Sequence, residues 1–97
     1  MLEWYNLEGD TPVPVPKEKV NWDHRWNIKT AVNDFLISTA FIPYNLGVGN
    51  EPRALFETLI FGGPLGRECQ KYSTKAEAEE GHNKWVQRAL KASHDKD

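Results

Sequence analysis

The chain has 97 residues, of which 39 % are hydrophobic, and its 12 lysines and arginines nearly balance 14 aspartates and glutamates. This size and composition predict one compact domain, and the balanced charge disfavours a long nucleic acid strand or an anionic membrane surface as a partner. The longest apolar stretch, from Phe35 to Ile42, is far shorter than the ~20 residues that span a bilayer, so we expect a soluble protein. The opening residues lack a secretory signal pattern and Cys69 is the only cysteine, which together favour a cytoplasmic location.

Three hairpins are predicted where extended segments alternate with turn residues. Their strands pair 2–7 with 13–15, 28–32 with 35–42, and 54–61 with a return strand at 69–72. The second turn, at Asn33-Asp34, is tight because this residue pair tolerates positive φ. Pro12, Pro14 and Pro16 lack a backbone N–H, so their segment is predicted either at a sheet edge or in the polyproline II conformation.

The predicted sheet needs cover on both faces, because 35–42 and 54–61 carry apolar side chains on both. One face can be covered by the apolar stripe of a C-terminal helix, formed by Ala78, His82, Trp85 and Ala89. A short helix over 17–27, indicated by Trp22 and Trp26 one helical turn apart, or a second subunit would cover the other face. We therefore expect a homo-oligomer.

Thr74 and Glu77 match a capping box, in which each side chain accepts a hydrogen bond from the other residue's backbone N–H. The helix that begins there is expected to end near Lys91, leaving 93–97 as a polar tail to a single domain of residues 1–92. The predicted fold class is α+β. It consists of a curved antiparallel sheet of about four or five strands, with a short helix and a C-terminal helix packed on one face.

Three stretches of sequence carry a family resemblance. They are Ile37-Ser38-Thr39-Ala40-Phe41, then Leu55-Phe56-Glu57-Thr58-Leu59-Ile60-Phe61-Gly62-Gly63-Pro64-Leu65, then Tyr72-Ser73-Thr74 with Glu77-Ala78 and Gly81-His82. In this order they resemble a family of small bacteriophage and prophage proteins with VSTVFLGLD, LFETMVFGGPLDG and RYSTWEEAEAGH motifs. The resemblance extends from about Tyr5 to Leu90 and departs from the family after Phe41, where members usually have a Leu-Gly-Leu-Asp run. It implies a phage origin but no particular activity.

The segment from Pro43 to Arg53 is a candidate binding loop. It joins two strands through 11 residues, where hairpin loops use about 2–5, and long ordered loops often bind ligands. Tyr44, Asn45 and Arg53 supply a ring for stacking, an amide, and a guanidinium suited to phosphate or carboxylate. The alternative is a surface loop without a binding role.

Glu57 interrupts an apolar strand face, where a carboxylate is costly unless it is paired. A four-residue turn would place Tyr72 opposite it, and a one-residue bulge would place Lys71 there instead. Glu57 is therefore either a ligand acceptor or general base, or a residue in a cross-strand pair or at a solvated sheet edge.

His82 and two tryptophans are candidates of a different kind, because packing alone could explain them. His82 lies on the inward stripe of the helix, directly after Gly81, whose missing side chain permits a close backbone approach. It is either a structural histidine or a catalytic or ligand-binding residue. Trp22 and Trp26 are either core residues or a stacking platform for a base. No second ligand stands at metal spacing from His82, so we expect neither a metal nor another cofactor.

The sequence contains no complete nucleophile, acid–base or phosphate-loop set, which favours a non-enzymatic binding protein. With the phage resemblance, we expect an anti-defence protein in the host cytoplasm that sequesters a small nucleotide signal of host immunity. Its candidate ligand-binding residues are Trp22, Trp26, Tyr44, Arg53, Glu57 and His82. The alternatives are an inhibitor that binds a host defence protein, a virion accessory or morphogenesis protein, and a minimal enzyme that uses Glu57 and His82.

Overall fold

The computed structural model describes residues 2–22, 25–47, 53–62 and 68–95. Within them, seven strands form two antiparallel sheets beside one long α-helix and a single turn of 3-10 helix. The elements are β1 (Glu3–Glu8), β2 (Thr11–Pro14), β3 (Asn27–Val32), β4 (Phe35–Phe41), β5 (Tyr44–Asn45), β6 (Phe56–Phe61), β7 (Cys69–Tyr72) and α1 (Lys75–Asp95). The α+β class is confirmed, with the strands divided between two sheets.

The small sheet has the order β2-β1-β5. Its first hairpin turns at Gly9, whose φ of 60° lies in the left-handed region. The prolines at 12 and 14 lie in an edge strand, as predicted. The third strand, β5, was not predicted: it pairs Tyr44 with Trp4 and so gives part of the Pro43–Arg53 segment a fixed place.

The main sheet has the order β3-β4-β6-β7. Asn33 has a φ of 53°, which confirms the tight hairpin between β3 and β4. Between β6 and β7 the register opposes Glu57 to Lys71 and Phe56 to Tyr72. This register places Lys71 opposite Glu57, as in the second predicted alternative, rather than Tyr72 as a four-residue turn would; residues 63–67 lie outside the described part of the chain.

The inner face of the main sheet, which is the face toward α1, carries the core in two clusters. The first contains Val32, Phe35, Ile37, Ile60, Trp85 and Ala89. The second contains Phe41, Leu55, Phe56, Tyr72 and Ala78, with Tyr5, Leu7 and Trp26 packed against it. Because Tyr5 and Leu7 belong to β1, this second cluster joins the small sheet to the main sheet. The helix packs on one face of the sheet, as predicted.

Of the helix predicted over 17–27, the described residues form only a single turn at Lys17–Lys19: residues 20–22 and 25–26 are not helical, and residues 23–24 lie outside the described part of the chain. The Asn6 side chain hydrogen-bonds to the non-helical backbone that follows this turn. Its Nδ2 donates to the Lys19 carbonyl at 2.8 Å, and its Oδ1 accepts from the Asn21 N–H at 2.8 Å. Trp26 then leads into β3, where its carbonyl accepts from the Phe41 N–H. Hydrogen bonds distant in sequence therefore override the helical spacing of the tryptophans.

The predicted capping box at the start of α1 is confirmed. The Glu77 N–H donates to Thr74 Oγ1 at 3.1 Å, and the Thr74 N–H donates to Glu77 Oε1 at 3.2 Å. The predicted end near Lys91 is wrong, because the helical backbone continues to Asp95 through most of the expected polar tail. Among the described residues, no helix has the length and apolarity needed to cross a membrane.

Candidate ligand cleft

A cleft of about 610 Å³ opens where one end of the small sheet meets the outer face of the main sheet, the face turned away from α1. Its lining residues are Leu2, Ile42, Tyr44, Asn45, Leu46, Ala54, Glu57 and Lys71. This volume lies within the range of roughly 300–1,000 Å³ that is typical of sites for small molecules. Three of the residues singled out in the sequence, Tyr44, Asn45 and Glu57, therefore share one cavity.

Glu57 and Lys71 bring opposite charges to the cleft from adjacent strands. They are direct cross-strand partners in the β6–β7 register, with Glu57 half-buried and Lys71 exposed. Side chains in such a pair leave the sheet about 4.5–5.5 Å apart. The cleft can therefore offer an ammonium donor and a carboxylate acceptor to the same ligand.

Tyr44 contributes an aromatic ring that is 46 % exposed. β5 fixes its position: the Tyr44 ring lies 5.6 Å from that of Trp4, which in turn lies 6.0 Å from the Trp22 ring. These three rings form a continuous aromatic row. Trp22 stands at the far end of the row, 50 % exposed and outside the cleft lining. A flat ligand can therefore stack on Tyr44 without touching Trp22.

Arg53 is adjacent in sequence to the cleft residue Ala54, but its side chain ties the two sheets together. Its Nε donates to Glu3 Oε1 at 2.7 Å, and the Tyr5 hydroxyl donates to the same oxygen at 2.7 Å. The bond from Arg53 is the main cause that lowers the pKa of Glu3, and it raises that of Arg53. Burial, with a smaller contribution from Glu3, raises the pKa of Tyr5. The predicted phosphate-binding guanidinium is thus engaged by Glu3.

His82 lies in the core, on the side of the main sheet opposite to Glu57. Its Nε2 is 2.8 Å from Thr30 Oγ1 and its Nδ1 is 2.7 Å from Thr39 Oγ1, which is in turn 2.6 Å from Thr58 Oγ1. Burial lowers the pKa of the imidazole. Both ring nitrogens have partners, so the arrangement is that of a structural histidine. A minimal site that combines His82 with Glu57 would need them on the same face of the sheet.

Gly81 explains how the helix approaches the sheet so closely. A Cβ atom at this position would overlap the Tyr72 ring and hydroxyl. The missing side chain therefore lets Tyr72 lie against α1 and brings the next residue, His82, down to the threonines. This is the close approach that the sequence predicted for the glycine.

Trp26 is also separated from the cleft. Its ring packs edge-on against Phe56 at 5.8 Å, and the Lys75 ammonium lies 5.5 Å from its centre. It borders a different hollow of about 360 Å³, which Asn6, Asn21 and Arg25 also line. Trp26 therefore serves mainly to close the second core cluster.

The structure thus brings Tyr44 and Glu57 together in the cleft, joins Arg53 to Glu3 instead, and separates Trp22, Trp26 and His82 from the cleft. Lys71 was not among the predicted ligand-binding residues, although the bulged register had placed it opposite Glu57. Within the described residues, no group of three histidine, cysteine, aspartate or glutamate side chains could hold a metal ion. No protein-family model, curated protein or solved structure significantly matches the chain.

Proposed function

We propose that this chain is a non-enzymatic binding protein that sequesters a small nucleotide-type signal of host immunity in the cleft. The observation that carries the proposal is the combination of the exposed Tyr44 ring, the Lys71 ammonium and the Glu57 carboxylate around one cavity. A nucleotide needs a surface for its base, a cation for its phosphate and an acceptor for its ribose hydroxyls. The resemblance to phage proteins supplies the biological context.

In this proposal each cleft residue has a separate task. The base stacks on Tyr44, a phosphate oxygen accepts from Lys71, and a ribose hydroxyl donates to Glu57. Asn45, which also lines the cleft, adds an amide that can donate or accept. The ligand is held and released unchanged, because binding by these groups requires no bond to break.

The test is to incubate the pure protein with cyclic dinucleotides, cyclic trinucleotides and ADP-ribose derivatives, and to measure binding by calorimetry. Heat-released ligand should be recovered unchanged by chromatography. Tyr44→Ala should weaken binding by roughly 5- to 150-fold, because stacking of a base on an aromatic ring contributes ~1–3 kcal/mol. Lys71→Met should weaken binding of anionic ligands by a similar factor, since it removes a charge-assisted hydrogen bond.

Lys91→Met provides the matched control, because Lys91 is an exposed lysine on α1 rather than at the cleft. It should leave the affinity unchanged. Full affinity in both the Tyr44 and Lys71 variants would contradict the proposed site. Multiple turnover of any compound in the panel would contradict the non-enzymatic proposal and favour an enzyme instead.

A second candidate function is inhibition of a host defence protein by direct binding. The observation in its favour is that Trp22 is 50 % exposed and Leu46 is 66 % exposed, because exposed aromatic and apolar side chains often become interface hot spots. Lysate from infected, defence-positive cells distinguishes the two functions. Sequestration depletes signalling activity from the lysate, and heating the protein restores it. If the protein is an inhibitor instead, a pull-down from the lysate recovers one host protein in stoichiometric amount, and the signal stays in the lysate.

A further inference from the structure

The aromatic row lies on one face of the small sheet and begins at the cleft. Tyr5 of β1 packs against the second core cluster, so its neighbour Trp4 points to the opposite face of the sheet. Tyr44 is the cross-strand partner of Trp4 and therefore shares that face. The row thus leads from Tyr44 in the cleft, past Trp4, to Trp22 outside it.

Trp22 is exposed although the backbone that leads to it is anchored. Asn6, which lies on the same face of β1 as Trp4, bonds through its side chain to the Lys19 carbonyl and to the Asn21 N–H. The Trp22 ring then meets the Trp4 ring edge-on, with their planes at 71°, and Trp22 remains 50 % exposed. An aromatic ring that is held in place and open to solvent is suited to stack on a flat ligand.

Two cationic side chains lie beside the row. The Lys17 ammonium is 5.6 Å from the centre of the Trp4 ring, which is the middle ring of the row. The Arg25 guanidinium is 5.8 Å from the centre of the Trp22 ring. Both side chains are exposed, so each can donate to a phosphate oxygen. The row therefore combines two exposed rings with positive charge at its middle and at its far end.

We propose that the row extends the cleft into a site for a dinucleotide. One base stacks on Tyr44, the other base stacks on Trp22, and the phosphate that links the two nucleotides accepts from Lys17. Both outer rings lie within 6.0 Å of the Trp4 ring, so they are no more than two such steps apart. The sugars and phosphate of a dinucleotide can span this separation because they contain several rotatable bonds. This inference rests on the proposed function and specifies the class of its ligand.

A ligand with two bases suits the row better than a mononucleotide or a long strand. A mononucleotide on Tyr44 makes no use of Trp22. A long strand is bound along an extended cationic groove, whereas this chain has 12 lysines and arginines against 14 aspartates and glutamates. A dinucleotide occupies both exposed rings and needs only a few cations.

Calorimetry tests the inference with adenine and guanine forms of three probes: the mononucleotide, the 5′-phosphorylated linear dinucleotide and the cyclic dinucleotide. A dinucleotide should bind roughly 5- to 150-fold more tightly than the mononucleotide, because a second base is stacked. Trp22→Ala should abolish this difference and leave binding of the mononucleotide unchanged. Tyr44→Ala should weaken binding of both. Trp22→Phe keeps an aromatic ring and should retain most of the difference.

Two matched controls accompany these variants. Phe61→Ala removes a ring that is also 50 % exposed but belongs to β6 of the main sheet, and it should leave dinucleotide binding unchanged. Lys17→Met should weaken binding of the dinucleotide more than binding of the mononucleotide. Lys19→Met replaces another exposed lysine of the same turn and should change neither.

Mononucleotide binding by Trp22→Ala verifies that this variant is folded and that its cleft is intact. A dinucleotide that binds no more tightly than the mononucleotide, or that keeps its full affinity in Trp22→Ala, would overturn the inference. Equal weakening of mononucleotide and dinucleotide by Trp22→Ala would overturn it as well, because Trp22 would then act through the cleft. If none of the three probes binds but another nucleotide does, the inference fails and the proposed function stands. If no nucleotide binds, both fail.

Discussion

At the scale of single residues, His82 illustrates how a polar group can be accommodated in a small core. The imidazole is 2 % exposed and contacts Thr30 and Thr39, and Thr39 contacts Thr58. A neutral imidazole has one donor and one acceptor nitrogen, and hydroxyl groups can satisfy both. Burial lowers its pKa because a charged imidazolium is poorly solvated there. The network therefore stabilises the fold only in its neutral form.

We predict that the stability of the protein falls as the pH is lowered below 6.5. Because the pKa of His82 is lowered in the folded state, His82 binds a proton in the unfolded chain at a pH where it stays neutral in the folded chain. Acid therefore favours unfolding. The slope contributed by this one residue is at most about 1.4 kcal/mol per pH unit, and it ends at the lowered pKa of the folded state. Above pH 6.5 His82 contributes no pH dependence. The free energy of unfolding by urea, measured from pH 8 to 4.5, checks this.

His82→Gln is the comparison for this prediction. It should be less stable than the wild type at pH 7.5, and its stability should depend less on pH between 6.5 and the lowered pKa. Histidines at 24 and 94 are present in both chains, so the difference between the two profiles isolates His82. Parallel profiles would show that another group is responsible for the acid sensitivity.

At the scale of elements, the start of α1 depends on the capping box formed by Thr74 and Glu77. We predict that Thr74→Ala destabilises the protein by ~1 kcal/mol, because one N–H of the first turn loses its acceptor. Thr74→Ser keeps the hydroxyl and should cost much less. Urea unfolding at pH 7.5 measures both variants. An unchanged midpoint in Thr74→Ala would mean that the cap contributes nothing, and ligand binding should be preserved in either variant.

The predictable elements were those specified by neighbours in sequence. The Asn33 turn and the Thr74 cap are local, and both could be inferred from residue type and spacing. The path after Lys19 depends on Asn6, 13 residues earlier, and β5 forms only because β1 lies beside it. Neither long-range contact leaves a periodic signal in the sequence. Local spacing therefore predicted a helix over 17–27 and a loop from Pro43 to Arg53.

The same distinction holds for the candidate site. Tyr44 could be selected by its place in a long connection and Glu57 by its charge on an apolar strand, and both line the cleft. Arg53 was selected by the same reasoning, but Glu3 engages it through a contact 50 residues apart. Trp22 and His82 carry suitable chemistry, yet only the packing of sheets and helix reveals that they lie elsewhere.

At the scale of the whole molecule, the two sheets are joined by a polar connection as well as by the second core cluster. The Glu3 carboxylate in β1 accepts hydrogen bonds from Tyr5 and from Arg53, which precedes β6. The Tyr5 N–H also donates to the Pro43 carbonyl, just after β4. The small sheet forms one wall of the cleft through Tyr44 and Asn45. The connection at Glu3 should therefore influence both the docking of the sheet and the shape of the cleft.

We predict that Glu3→Gln loosens the small sheet at neutral pH and has little effect in acid. The pKa of Glu3 is lowered in the folded state, so its contribution to stability is fully present above its ordinary value of 4.5 and disappears as the pH falls through the lowered value.

Hydrogen exchange at pH 7 should accelerate at the Tyr5 amide of β1 in the variant. The Phe41 amide, which donates to Trp26 in the main sheet, is the internal reference and should exchange at an unchanged rate if the small sheet opens locally. Unfolding midpoints of the wild type and the variant should converge below pH 4. A difference that persists undiminished at pH 3 would show that the glutamine acts through packing rather than through loss of the charged pair.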